Sequence, residues 1–250
     1  MSVHTRHQRL KSTRLGQLHR YWWYAIGEVA LIFAGITLAL WFSNWNENGR
    51  ERIIERRTLT DIMANLRANE TYIENNIEYD QTSVQACNTI LAAMEVRGPW
   101  LDEYEVTLNL CRWWSSPFLS AASYESLKVH GTDLITYKGL RDDIVKLYDL
   151  NYAYLVSDTD KSFWQFQQAV LFPVFNRHTR YIIDKTGISR MIPNDWVALL
   201  ESREFSNALL AKKATQLDSI DDQHFALDRT RQVADRIEAW LKVQDSGSSD

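Results

Sequence analysis

The sequence predicts an all-α protein: one N-terminal transmembrane helix followed by an elongated extracytoplasmic helical bundle. An apolar run flanked by aromatic residues occupies residues 22–44. Beyond it, apolar residues recur at steps of three, four and seven from Arg50 to Arg97, a stretch without glycine or proline, which is typical of one helix face. No later segment alternates with period two between hairpin turns, so no strand is predicted.

Charge is divided unevenly along the chain. Five of the 28 Lys and Arg residues precede residue 21, and this segment contains no Asp or Glu. Residues 21–250 contain the other 23 basic residues and all 32 acidic residues. The chain therefore begins with a basic tail and continues as an acidic domain, and the net charge of −4 averages the two. No nucleic-acid partner is expected, because no basic stripe continues beyond the tail.

The apolar run is long enough to cross a bilayer. It reads WWYAIGEVALIFAGITLALWFS from Trp22 to Ser43, and about 20 apolar residues span a hydrocarbon core of roughly 30 Å. Aromatic rings prefer the membrane interfaces. The predicted interface residues are Trp22, Trp23, Tyr24, Trp41 and Trp45. A hydrophobic core helix and a cleaved signal peptide are the alternatives, and the sequence favours an uncleaved signal anchor.

The predicted organisation has five parts. They are a basic cytoplasmic tail (1–21), a transmembrane helix (22–44), a juxtamembrane long helix (45–97), a helical bundle domain (98–243) and a flexible tail (244–250). The basic tail favours a cytoplasmic N-terminus, although four arginines also follow the span. Those arginines can pair with interleaved glutamates, so they count less toward the orientation of the span. We therefore expect a single-pass protein of the bacterial cytoplasmic (inner) membrane, with its N-terminus inside and its C-terminal domain in the periplasm.

Two features inside the span are candidates for function. Small residues one turn apart let helix backbones approach closely, which predicts a packing face for a second copy or a partner membrane protein. That face consists of Gly27, Ala30, Leu31, Ala34, Gly35 and Ala39. The alternative is that glycine and alanine are simply common in membrane helices. Glu28 is expected either to pair or relay a proton inside the membrane, or only to reach the headgroup layer.

The remaining chain is predicted as helices separated by breakers. The expected helices run from Arg50 to Arg97, stopped by a Gly98 cap and Pro99; from an Asp102 cap to Trp114; over 124–128 after a Ser123 cap; from Leu140 to Phe172, ended or kinked by Pro173; from an Asn194 or Asp195 cap to Leu200; and from Arg203 to Lys242. Residues 174–184 are a candidate continuation of helix, and residues 187–193 a candidate loop.

No motif for an enzyme, a cofactor or a metal occurs in the sequence. It contains no glycine-rich phosphate loop, nucleophile elbow, zinc-binding His pair or CxxC motif, so none of these is expected. Cys87 and Cys111 are predicted either to form one disulfide, if the domain is extracytoplasmic, or to be buried separately as two small apolar side chains.

The densest aromatic group outside the span is a further candidate site. It consists of Trp113, Trp114, Phe118 and Tyr124. These rings are either the lining of a ligand pocket or, as the simpler interpretation, a wedge of the core beneath short connections.

Several motifs carry a resemblance to known sequences. YAIGE at 24–28, GITLAL at 35–40 and NWNE at 44–47 lead into an Arg- and Glu-rich helix, and YESLK at 124–128 precedes Gly131. These segments resemble an uncharacterised family of bacterial single-span membrane proteins, a domain of unknown function with the signature YAIGE…GIxLAL…NWNE. The resemblance implies a single-span anchor with a mostly helical domain, and it implies no activity.

The leading expectation for function is a membrane-anchored, non-enzymatic interaction or scaffold protein, or the accessory subunit of a membrane complex. Its expected partners are the lipid bilayer and either a second copy or another membrane protein. The alternatives are a sensor-like ligand-binding domain that signals through its span, an oligomeric pore or transport component that uses Glu28, and an enzyme whose site the sequence does not display. A sensor would need a partner for its cytoplasmic output, because the tail is short.

Overall fold

The computed structural model describes residues 12–183, 185, 187 and 189–247. It is all-α in class, with 84% helix, and it divides into two units, Met1–Ile54 and Glu55–Asp250. Residues 1–11 of the predicted basic tail, and residues 248–250 of the predicted flexible tail, lie outside the described residues. The side chains of residues 12–21 lie outside the described part as well.

The first unit contains the apolar run. Helix α1 spans Ser12–Val96. From Ile26 onward it is, in the described chain, the one helix long and apolar enough to cross a membrane, with a mean hydropathy of 1.9 over a window that is 0% buried. The prediction of a long apolar helix near the N-terminus is confirmed. The side chains of Trp23 and Tyr24 lie outside the described residues.

The second unit is built from short helices, one hairpin and two long helices. Its elements after α1 are α2 (Tyr104–Arg112), α3 (Ala122–His130), a 3₁₀ turn (Thr132–Leu134), α4 (Lys138–Lys146), α5 (Lys161–Phe166), α6 (Phe172–His178), strands β1 (Thr179–Ile183) and β2 (Ser189–Pro193), α7 (Trp196–Glu201) and α8 (Arg203–Gly247). Three π-helical segments link α4, α5 and α6, and they are Leu147–Tyr152, Leu155–Asp160 and Gln167–Leu171.

Within this unit, α1 and α8 run antiparallel along each other. Arg67 bonds Asp235 at 2.7 Å, whereas Ser83 bonds Lys212. The later residue of α1 thus contacts the earlier residue of α8, as expected for two antiparallel helices. This pair is the frame on which the shorter elements pack.

Buried apolar side chains form two clusters along that frame. The first is centred on α1, α3, α4 and α8, with Leu59, Ile73, Tyr124, Ile144 and Ile237 among its members. The second joins α1 and α8 to α2, α6, α7 and β2, with Ile90, Leu108, Phe175, Met191 and Phe205 among its members. Each fully buried large apolar side chain contributes about 1.5–3 kcal/mol of transfer free energy. Both ends of the α1–α8 pair are therefore stabilised by burial.

Helix α1 ends where the sequence predicts, but a different residue turns the chain. Arg97 adopts a φ of 51°. Its N–H bonds the carbonyl of Met94 at 3.4 Å, and the N–H of Gly98 bonds the carbonyl of Ala93 at 3.0 Å. These are the two hydrogen bonds of a Schellman motif. The prediction of Gly98 as the cap is therefore wrong by one position, because Arg97 holds the left-handed backbone.

Of the predicted helix caps, one is confirmed and two are wrong. The Asp195 carboxylate accepts a hydrogen bond from the N–H of Ala198 at 3.1 Å at the start of α7. The predicted caps Asp102 and Ser123 are wrong, because the residues at the N-cap positions of α2 and α3 are Glu103 and Ala121, and neither makes a side-chain cap bond. Instead, the N–H of Ser123 donates to the side-chain oxygen of Asn65 at 3.3 Å. A tertiary contact from α1 thus replaces the local cap that the sequence predicts.

The hairpin is the clearest departure from the predicted elements. Residues 174–184 continue as helix only to His178, and the predicted loop at 187–193 contains a strand. The strands pair antiparallel, with Thr179 opposite Pro193 and Ile183 opposite Ser189. Each strand has five residues. A run that short shows too little alternation for the pattern to identify it.

The helix predicted from Leu140 to Phe172 is helical, but it is not uniformly α. The π-helical segments interrupt it, and α6 then carries the helical path to His178. Pro173 lies in the first turn of α6, directly after the segment Gln167–Leu171. A proline in the first turn removes no intrahelical hydrogen bond of that helix. The prediction that Pro173 ends the helix is therefore wrong.

Candidate functional site

The exposed part of α1 has the dimensions of a bilayer core. At about 1.5 Å per residue, Trp22 and Trp41 lie ~28 Å apart along the helix axis, close to the roughly 30 Å of hydrocarbon. Trp22, Trp41 and Trp45 are all exposed. The ring of Trp45 lies 6.1 Å from that of Phe42. The described tryptophan side chains of this segment, Trp22, Trp41 and Trp45, therefore fall at the two ends of the apolar run.

Glu28 lies on the same side of α1 as part of the predicted packing face. At about 100° per residue, Gly35 and Ala39 fall within ~20° of the direction of Glu28. Nothing lies within 4 Å of the position that a Cβ would take at Gly27 or Gly35. All six residues of the predicted face, from Gly27 to Ala39, are exposed. The helix thus presents one acidic side chain and an uncovered small-residue surface together.

The second unit contains a buried polar layer that was not predicted from the sequence. The layer consists of Asp80 and Ser83 on α1 and of Lys212, Gln216 and Gln223 on α8. All five residues are buried. On α8, Lys212 and Gln216 fall between the last apolar contact of one cluster and the first of the other. Along α8, these two residues therefore separate the two apolar clusters.

Asp80 is the acceptor at the centre of the polar layer. One carboxylate oxygen accepts from the side-chain amide of Gln216 at 2.8 Å and from the N–H of Ser115 at 3.1 Å. The other oxygen accepts from the amide of Gln223 at 2.8 Å. A buried carboxylate is costly unless it is hydrogen-bonded, and here each oxygen has a donor.

Lys212 is the cation of the layer and has no exposed surface. Its ammonium donates to the hydroxyl of Ser83 and to the side-chain oxygen of Gln216. It also donates to the carbonyl of Trp113 at 3.1 Å. Burial lowers the pKa of Lys212, because the charged form loses its hydration. One amide, that of Gln216, connects this ammonium to the Asp80 carboxylate.

Both cysteines are buried beside the polar layer. Cys87 lies on α1 and Cys111 in the last turn of α2, both within the second apolar cluster. Cys87 Sγ lies 3.9 Å from the carbonyl oxygen of Cys111. Both thiols are free, and the Cys87 thiol donates to that carbonyl oxygen. The structure therefore brings together the two residues that the sequence proposed as a disulfide.

The predicted aromatic site is divided in the structure. The rings of Trp113 and Trp114 each lie 6.4 Å from the ring of Phe172. Trp114 also packs against Phe163 and Trp164, at 5.6 Å and 5.4 Å. Phe172 therefore joins the two tryptophans of the predicted set.

Tyr124 and Phe118 have different surroundings. Tyr124 is buried in the first apolar cluster, where its ring stacks on Tyr148 at 4.5 Å and its hydroxyl donates to Asp149 at 2.7 Å. Phe118 is 77% exposed. For Tyr124, this is the core position that the simpler interpretation expects.

A sequence signal for the polar layer does exist in α8. Lys212, Gln216 and Gln223 continue the three- and four-residue steps that begin at Leu209 and end at Leu227. A polar residue at a position where the helical pattern predicts an apolar one is either exposed to solvent or buried in a hydrogen-bond network. Only the opposing Asp80 and Ser83 on α1 distinguish the two.

The described chain gives no direct indication of a metal centre. Among residues 12–183 and 189–247, no three His, Cys, Asp or Glu side chains are placed to hold a metal ion. Comparison of the chain with protein-family models, with curated proteins and with solved structures gives no match.

Proposed function

We propose that this chain is a membrane-anchored, non-enzymatic scaffold protein, or the accessory subunit of a membrane complex, and that it self-associates through α1. In this proposal α1 crosses the bacterial cytoplasmic membrane once with its N-terminus inside. The unit Glu55–Asp250 is then a periplasmic helical bundle domain.

The observation that carries the proposal is the exposure of the apolar helix. Leu31, Phe33 and Leu38 are each more than 60% exposed, and the most apolar window is 0% buried. Removing one such side chain from water contributes about 1.5–3 kcal/mol, so a bilayer would stabilise the helix far more than water does. Leaving it in water would favour aggregation.

The surface of the second unit supports an aqueous location for it. Arg67 pairs with Asp235 and Glu238 across the α1–α8 pair at 2.7 Å and 3.3 Å. Arg231 pairs with Glu70 at 2.7 Å and also with Glu74. These partly exposed ion pairs are each worth little in water, about 0–1 kcal/mol. They would be costly to place against lipid.

Anchoring is tested by washing membranes from cells that make the full chain. We expect the protein to stay in the membrane pellet in alkaline carbonate and high salt and to leave it only in detergent. Added protease should remove Glu55–Asp250 from spheroplasts with intact inner membranes and not from inside-out vesicles. Release by carbonate alone, or the opposite protection pattern, contradicts the anchor or its orientation.

Self-association is tested with variants of the small-residue face. Gly35→Ile adds bulk to the face beside Glu28, whereas Val29→Leu adds one methylene group about 120° around the helix from Gly35, at a residue outside the predicted face. In mild detergent, cross-linking should trap oligomers of the wild-type chain and of Val29→Leu and should trap fewer for Gly35→Ile. Equal cross-linking of both variants excludes this face as the contact.

An oligomeric pore is the second candidate, and the position of Glu28 favours it. An acidic side chain beside Gly35 and Ala39 would line the contact between α1 helices, where an ionisable group in a membrane most often has a function. Reconstituted vesicles should then conduct cations with the wild-type chain and lose that conductance with Glu28→Gln. Vesicles without conductance leave the scaffold as the proposal.

A further inference from the structure

Cys87 and Cys111 are placed as a pair by two different helices. Both cysteines are fully buried, Cys87 on α1 and Cys111 on α2. The 3.9 Å from Cys87 Sγ to the carbonyl oxygen of Cys111 brings the backbone of α2 close to the side chain on α1. A disulfide needs such proximity of both backbones, with Cα atoms about 4.4–6.8 Å apart.

Lys212 lies beside the pair and contacts both of the segments that carry it. Its ammonium donates to Ser83, one turn before Cys87 on α1, and to the carbonyl of Trp113, two residues after Cys111. A buried positive charge next to two thiols favours a thiolate. The cation therefore lies where a reactive sulfur would need it.

The two thiols are not equivalent. The hydrogen bond from the Cys111 thiol lowers the pKa of Cys87; burial acts against this, and the charges of Lys212 and Lys213 add to the lowering. Burial raises the pKa of Cys111, and its hydrogen bond to Cys87 raises it further. Cys87 is thus the better nucleophile, since the thiolate is the attacking species.

We propose that Cys87 and Cys111 are a thiol–disulfide pair, with Cys87 as the attacking sulfur and Lys212 as the positioning residue that favours its thiolate. The oxidant is a small or protein disulfide. The Cys87 thiolate attacks one of its sulfurs and releases the first thiolate. The Cys111 sulfur, on losing its proton, then attacks Cys87 in the mixed disulfide and releases the second. Two electrons pass to the oxidant, and the two protons from the cysteines go to the two thiolates released.

Burial limits the rate of this exchange, because neither sulfur is exposed. The oxidant reaches Cys87 when α2 opens from α1, which leaves the contact of Lys212 with Ser83 on α1 in place. The inference is separate from the membrane proposal, because the purified chain has the same thiol chemistry wherever the domain resides.

The test is a redox titration of the full chain in mild detergent. The protein is refolded in buffers with different ratios of reduced and oxidised glutathione, alkylated in denaturant and weighed by mass spectrometry. We expect the chain to pass from two alkylated cysteines to none, with loss of two hydrogens and a cross-linked peptide joining Cys87 and Cys111. Two alkylated cysteines, or only glutathione adducts, at the oxidised limit overturn the proposal.

The role of Lys212 has its own readout, the glutathione ratio at half-oxidation. Lys212→Met removes the charge that stabilises the reduced, thiolate form. Half-oxidation should therefore move several-fold in the glutathione ratio, toward more reducing buffer. Lys242→Met changes an exposed lysine on the same helix and should leave the midpoint unchanged. An unchanged midpoint in a Lys212→Met protein that still unfolds cooperatively overturns the role of Lys212.

Discussion

Arg97 carries a backbone conformation that favours glycine. Its φ of 51° closes the Schellman motif at the end of α1, and a side chain in the left-handed region costs about 1–2 kcal/mol. Its ion pair with Glu201, at 4.0 Å, joins two exposed side chains. The residue therefore contributes strain at a position where it has little compensating contact.

Replacing this residue by glycine should stabilise the second unit. We expect Arg97→Gly to raise the free energy of unfolding by about 0.5–1 kcal/mol, because relief of strain outweighs the added freedom of the unfolded chain. Urea denaturation followed by circular dichroism measures the change. Arg97→Ala loses the same ion pair without gaining left-handed freedom and should not stabilise. A stabilisation shared by both variants would show that the ion pair, not the backbone, was unfavourable.

Tyr152 makes the stability of the second unit depend on alkaline pH. Burial raises its pKa to about 12, while hydrogen bonds from Thr230 and Asn69 act in the opposite direction. The unfolded chain loses this proton near pH 10, so the folded unit holds a proton that the unfolded chain has released. The stabilisation is fully present below pH ~10 and is lost as the pH rises toward ~12.

Lys212 has the opposite effect on the pH dependence of stability. Because its pKa is lowered in the folded unit, the free energy of unfolding rises with pH up to about 10.5, the pKa of lysine in the unfolded chain.

Tyr152→Phe removes one titrating group and should flatten the alkaline loss. Between pH 9 and pH 12, the wild-type unit should lose up to about 2–3 kcal/mol more than the variant, since two pKa units correspond to that free energy. Urea midpoints across this range measure the difference. Tyr137→Phe, at an exposed tyrosine, should keep the wild-type profile. If Tyr152→Phe keeps it as well, this hydroxyl is not the source of the loss.

At the scale of elements, the hairpin packs on the second apolar cluster through one side chain. Met191 of β2 is 1% exposed, whereas Ile183 at the end of β1 is 70% exposed. Met191→Ala should therefore destabilise the unit by about 2–4 kcal/mol through the cavity it leaves. Ile183→Ala should change the free energy of unfolding by no more than ~0.5 kcal/mol. Chemical denaturation of both proteins in mild detergent compares them, and equal losses would contradict docking through Met191.

The elements also show which kinds of sequence signal are reliable. The long apolar periods predict the end of α1 and the start of α8 at nearly the observed residues, because a pattern repeated over many turns averages out single exceptions. The predicted start at Arg50 and end at Lys242 are exceeded, since α1 begins at Ser12 and α8 ends at Gly247. The hairpin at 179–193 was missed, because five-residue strands give little repetition. The caps predicted at Asp102 and Ser123 fail for a further reason. A distant residue, Asn65, supplies the acceptor for the N–H of Ser123.

At the scale of the whole molecule, the two units place opposite demands on solvent. The apolar window of α1 is exposed, whereas the unit Glu55–Asp250 has its own two apolar clusters. A chain lacking residues 1–49 should therefore fold in water without detergent. Sizing chromatography and a cooperative thermal transition measure this outcome. Insolubility of that shortened chain, or a transition without cooperativity, would show that the second unit depends on the first.

The sequence by itself determined the helical class, the apolar segment with its aromatic ends, the position of Glu28 and the stop after α1. These follow from composition and from periods of three and four, which depend on near neighbours in the chain. The tertiary structure alone decided the antiparallel α1–α8 pairing, the polar layer of Asp80, Ser83, Lys212, Gln216 and Gln223, and the meeting of Cys87 with Cys111. Those contacts join residues far apart in the chain, and no local pattern specifies which distant side chain will satisfy a buried charge or face a buried thiol.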